Sequence, residues 1–130
     1  MNSALEFHDS TVASVQVRDG VLRVIFSAAY VHRSLGRPGL DAGGGFSQSV
    51  EISFKSARIT GNPSDCQGNL SDGLLVAPGY RSGLVPIPFD SPGPIEAELT
   101  FTSGALLRVE SEAVSCVALG DPVFIEKFRA

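Results

Sequence analysis

The sequence contains no tryptophan, only two tyrosines and two histidines, and that scarcity removes several functions together. Single-stranded nucleic acid and carbohydrate are held largely by stacking on aromatic faces, and the lack of tryptophan with only two tyrosines demotes both as ligands. Positive charge is equally thin. Ten basic side chains stand against fourteen acidic ones, the net charge is −4, and no run of like charge exceeds two residues. A phosphate backbone finds no basic stripe here, so nucleic acid is not an expected partner. Lysine is nearly missing: Lys55 and Lys127 stand beside eight arginines, unlike a polybasic membrane tail. The longest apolar runs, such as residues 28–31 and 74–77, have four residues, far short of the roughly 20 that a helical span needs. Residues 1–10 lack a basic start leading into an apolar stretch, so no secretory signal is expected. Together these absences lead to the expectation of a cytoplasmic protein with no membrane partner.

Cysteine is scarce too. Cys66 sits in a polar stretch and Cys116 in an apolar one, and without an export signal two reduced thiols are expected rather than a bridge. No Cys-x-x-Cys is present and the histidines are far apart in the chain, so no metal site is expected. The phosphate-loop and dinucleotide glycine patterns are also missing, and no cofactor is expected.

What the chain does have is alternation. Its 130 residues, 43% hydrophobic and 18% charged, match one compact domain spanning 1–130. No segment sustains a helical apolar period for three turns. In residues 95–102, Ile95, Ala97, Leu99 and Phe101 fall on one face, with Glu96, Glu98 and Thr100 on the other. A return strand follows Ser103-Gly104. A two-residue turn would force Arg108 onto the buried face. A three-residue loop with left-handed Gly104 instead pairs Phe101 with Ala105, Leu99 with Leu107, Ala97 with Val109 and Glu98 with Arg108. That register also sets the glutamates on a solvated face beside Arg108, so they are not read as a catalytic pair.

A second hairpin is expected around Asp19-Gly20, a favoured type I′ pair, with Val17 opposite Leu22, Val15 opposite Val24 and Ala13 opposite Phe26. Further strands are expected in residues 50–55, 70–77, 114–119 and 123–128. The fold class is therefore all-β: an antiparallel β-sandwich or small barrel of about seven to nine strands built from hairpins, with the sandwich favoured. Two loops interrupt it. Residues 36–45 carry five glycines and read as mobile, whereas residues 78–94 carry five prolines and read as a stiff, extended edge.

Seven residues are candidates for ligand or partner contact. His8 and Asp9 lie in Phe7-His8-Asp9-Ser10, where strand neighbours point to opposite faces and cannot form a relay; the plainer reading is a backbone hydrogen bond at a sheet end. His32 and Arg33 lie at the mouth of the glycine-rich loop and Arg37 inside it, where backbone amides can converge on an anion; the plainer reading is a solvated loop. Tyr80 and Arg81 combine an aromatic body with a planar cation, as interface anchors do.

The opening Leu5-Glu-Phe-His-Asp-Ser-Thr-Val-Ala-Ser-Val, followed by Asp19-Gly20-Val-Leu-Arg-Val, resembles the N-terminus of several uncharacterised bacterial families, some grouped with immunity proteins of toxin systems. The resemblance covers about the first 30 residues. It implies a first hairpin after the Phe-His-Asp-Ser start, a toxin-neutralising protein partner and no catalytic role.

The leading expectation is a small, non-enzymatic bacterial binding protein, with a homodimer as one form of partnership. It predicts an exposed apolar or Tyr/Arg patch. A small-ligand binder with a pocket near the glycine-rich loop predicts an enclosed cavity. A hydrolase using His8 or His32 predicts a histidine beside a carboxylate in a cleft.

Overall fold

A computed structural model describes residues 1–128. The elements are β1 (Asn2–Arg18), β2 (Val21–Ser34), β3 (Gly43–Lys55), β4 (Arg58–Thr60), β5 (Gly68–Ala77), β6 (Tyr80–Ser82), β7 (Leu84–Ile87), β8 (Phe89–Phe101), β9 (Leu106–Ala118) and β10 (Val123–Phe128). The described residues thus form ten strands rather than seven to nine. The proline-rich segment, expected as one extended stretch, breaks into β6, β7 and the start of β8, and Arg58–Thr60 adds β4. In the other direction, residues 105–110 and 114–119 merge into the single strand β9.

The architecture is a barrel, which corrects the preference for a sandwich. All pairings are antiparallel, and β1, β2, β3, β9, β8 and β5 close into a six-stranded ring through β3–β9 and β5–β1 contacts. The physical reason is strand length combined with bulges. β1 has 17 residues and β3, β8 and β9 have 13 each. Register shifts interrupt β1–β2 near Thr11, β2–β3 after Phe26 and β8–β9 after Pro92, and each lets a long strand bend round the core. The remaining strands attach outside the ring: β4 on β9, β6 on β5, β7 on β1 and β10 on β3.

Turn chemistry fixes both hairpins. Asp19 (φ 53°) and Gly20 (φ 76°) are left-handed, as a type I′ turn requires, and Val17 faces Leu22 while Val15 faces Val24. Beyond that the expected pairing fails: Phe26 faces Val12, not Ala13, because a bulge absorbs one residue of β1. In the second hairpin Gly104 (φ 96°) closes the three-residue loop, with its N–H bonded to Phe101 O at 2.9 Å and Phe101 N–H bonded to Ala105 O at 2.9 Å. Glu98 faces Arg108, Leu99 faces Leu107 and Ala97 faces Val109, all as expected.

The ring encloses a core in which Phe7, Phe26, Phe54 and Phe101 are fully buried among Leu5, Leu22, Ile52, Leu75, Ile95 and Leu107. Cys66 and Cys116 are both buried and unpaired. The glycine-rich segment is only partly a loop. Gly43, Gly44 and Gly45 belong to β3, where they pair with Ser34, Arg33 and His32 on one side and with β10 on the other. Their role is close approach rather than mobility, since a Cβ on Gly45 would strike the Tyr30 ring.

Candidate functional site

The least conventional part of β1 is the Phe-His-Asp-Ser stretch. Between the Glu6–Tyr30 and Thr11–Ala28 pairs, β1 carries four residues where β2 carries one. Asp9 takes a left-handed φ of 71° to accommodate the excess. Buried Ser10 replaces the lost ladder bonds: its hydroxyl donates to Glu6 O at 2.5 Å and accepts from Tyr30 N–H at 2.8 Å. The bulge also overturns the expectation that His8 and Asp9 diverge, because His8 Nδ1 lies 3.1 Å from Asp9 Oδ2. Both side chains are exposed, and it is Ser10 that bonds the backbone, in mid-strand and not at a sheet end.

His32 stands on the same face as Tyr30, two residues away on β2, opposite the buried Leu5 and Val31. Its Nε2 lies 3.1 Å from Glu6 Oε2, and its ring meets Tyr30 edge-on at 5.2 Å and stacks on Phe128 at 5.3 Å. Tyr30 donates its hydroxyl hydrogen bond to Glu126 of β10. Burial, that bond and the neighbouring charges of Glu6 and Asp9 push the Tyr30 phenol well above its ordinary range. The cluster therefore ties β1, β2, β3 and β10 together across the bare surface of Gly45.

The other candidates disperse. Arg33 lies over the Phe46 ring at 5.2 Å. Arg37 is bound within its own loop by Asp41 at 3.2 Å, and the guanidinium holds that carboxyl below the usual carboxylate range. Tyr80 and Arg81, adjacent on β6, line different depressions. Tyr80 donates to Leu84 O, packs on Phe89 and borders an open depression of about 530 Å³ with Asn2, Pro38 and Pro86. Arg81 borders another of about 320 Å³ with Glu98 and Arg108.

For chemistry, these arrangements offer little. The Nδ1 of His32 is buried without a partner, its Nε2 is turned to Glu6, and the nearby Ser10 hydroxyl is committed on both sides. Among the described residues, no group of three or more His, Cys, Asp or Glu converges on a metal position. Phe7, Phe26, Phe54 and Phe101 occupy the barrel interior, and the depression beside Tyr80 is open to the surface. No helix among the described residues is long and apolar enough to cross a membrane.

The feature that sequence reasoning missed is the edge of β10. One side of β3 pairs with β2; the other pairs with β9 over Val50–Lys55 and then with β10 over Gly43–Ser47. β9 is covered on its far side by β8, whereas β10 ends the sheet. There Val123 is 65% exposed, Phe124 60% and Ile125 51%; Val117 on β9 (39%) and Leu119 just past its end (54%) are exposed as well. The Phe124 ring meets Phe46 edge-on at 5.5 Å, at the rim of the core. The available signal was the unalternating Val-Phe-Ile run between Asp-Pro and Glu-Lys. Comparison with protein-family models, curated proteins and solved structures gives no match to this chain.

Proposed function

We propose that this chain is a non-enzymatic protein-interaction module that receives a partner strand along the free edge of β10. The observation that carries the reading is the run of three exposed apolar residues, Val123, Phe124 and Ile125, on an edge strand. Edge strands present unpaired backbone donors and acceptors, and proteins ordinarily blunt them with proline, charge or brevity. The other outer strands are blunted in these ways. β7 carries Pro86 and is followed by Pro88; β4 and β6 have three residues each and carry Arg58 and Arg81. Among the described outer strands, β10 is the one whose large apolar side chains, Val123, Phe124 and Ile125, are exposed, and strand addition uses main-chain bonds for affinity and side-chain contacts for specificity. A toxin-neutralising partner, as the N-terminal resemblance implies, is one form this interaction takes.

The test is a photo-crosslinking residue introduced at Phe124 in living cells, with Val17 at the opposite hairpin tip as control, since Val17 is also 50% exposed. A discrete protein adduct from position 124 and none from position 17 supports the reading. No adduct, or equal adducts from both positions, overturns it.

A further inference from the structure

We propose that the strand received by β10 is β10 of a second copy, running antiparallel about a two-fold axis at Phe124; this rests on the reading of β10 as the interaction edge.

A two-fold axis perpendicular to a sheet sets residue i of one copy opposite residue j of the other with a constant sum of i and j, and the residue on the axis meets itself. Centring at Glu126 or Lys127 would set like charges directly opposite, which is unfavourable. Centring at Phe124 puts Phe124 against Phe124 and Val123 against Ile125, so the exposed apolar side chains cover one another. Carried beyond the strand, the same register brings Asp121, which precedes β10, opposite Lys127 at both ends of the contact. Asp121 and Lys127 are exposed, and among the described residues neither has an ion-pair partner. The edge is therefore self-complementary in both shape class and charge, apolar in the middle and oppositely charged at its flanks.

Two features, one just before the strand and one within it, stop growth. Pro122 lacks a backbone donor, and the register shift at Ile125 bends β10. Both keep backbone pairing to the middle of the strand, so that Asp121 and Lys127 meet at its flanks through their side chains alone. A two-fold contact also consumes the edge it uses, so association closes at two copies.

Sedimentation velocity over a concentration series tests this on the full chain. The wild-type protein is expected to sediment as a monomer–dimer equilibrium. Asp121→Lys and Lys127→Asp are each expected to weaken association by about tenfold or more, because like charges then face each other twice. The double swap is expected to restore it. Phe124→Lys, at an exposed site, is expected to leave a folded monomer by circular dichroism. A dimer indifferent to all four variants overturns the inference by placing the contact elsewhere. A protein monomeric at every concentration also overturns it. In that case a crosslinked foreign protein at position 124 leaves the interaction-module reading standing, and no adduct removes both.

Discussion

Ser10 and Gly45 show how much of the Tyr30–His32 cluster depends on single atoms. Ser10 supplies two hydrogen bonds that a bulged backbone lacks, and Gly45 supplies the space that Tyr30 and Phe128 occupy. Gly45→Ala is expected to destabilise the fold by about 1–3 kcal/mol in urea denaturation, because the new methyl must displace a packed aromatic ring. Gly104→Ala meets nothing within 4 Å and is strained only by its φ of 96°, so its cost is expected to be about 1–2 kcal/mol, with register retained. Cys116 makes a pH prediction. Burial pushes its thiol up to about 12, whereas an unfolded thiol titrates near about 8.5. The folded state then holds the proton more tightly, so this stability is complete below about pH 8.5 and falls at about 1.4 kcal/mol per unit as pH rises towards the folded value. Denaturant midpoints measured from pH 8 to 11 check this, and Cys116→Ala should flatten the slope. Tyr30, also held protonated, steepens the decline at the alkaline end. Of the cluster, the placing of Tyr30 and His32 on one face was legible from their two-residue spacing. Glu6, Glu126 and Phe128 were not, because they arrive through pairings with distant strands and through a bulge that no local pattern announces.

At the scale of the element, the second hairpin was readable because its turn and its alternation agree on one register. The Glu98–Arg108 pair that results, Nε to Oε2 at 3.2 Å, is about half exposed on both sides. A double-mutant cycle on these two residues is expected to give a coupling of about 0.2–1 kcal/mol that shrinks in high salt. A zero coupling at low salt would mean that the pair is an incidental contact. The first hairpin was legible only as far as Val15. Beyond it the excess residues of β1 shift the register, and alternation, which has no term for inserted residues, continues past the bulge as though it were absent. β10 is the converse case: its bounds followed from sequence, but its position as a sheet terminus depends on β3 serving β9 and β10 in succession along one side. Exposure of Val-Phe-Ile is a consequence of that arrangement, not of the local pattern.

For the molecule as a whole, the choice between sandwich and barrel turned on strands of 13 to 17 residues, longer than the segments whose alternation marked them. Bulges reset the alternation within one strand, so β1 and β9 each read as two short pieces. Closure of the ring removes the edges of its six strands and leaves the outer strands to carry whatever edges remain. Three of these are proline-bearing or very short, and β10 exposes Val123, Phe124 and Ile125. Self-pairing of β10 therefore stands or falls on whether that strand gains a neighbour in solution. Amide hydrogen exchange of the purified full chain, compared at micromolar and near-millimolar concentration, addresses this directly. Slowed exchange at high concentration within Val123–Phe128, with β4, β6 and β7 unchanged, is the predicted result; identical exchange of β10 at both concentrations would contradict it.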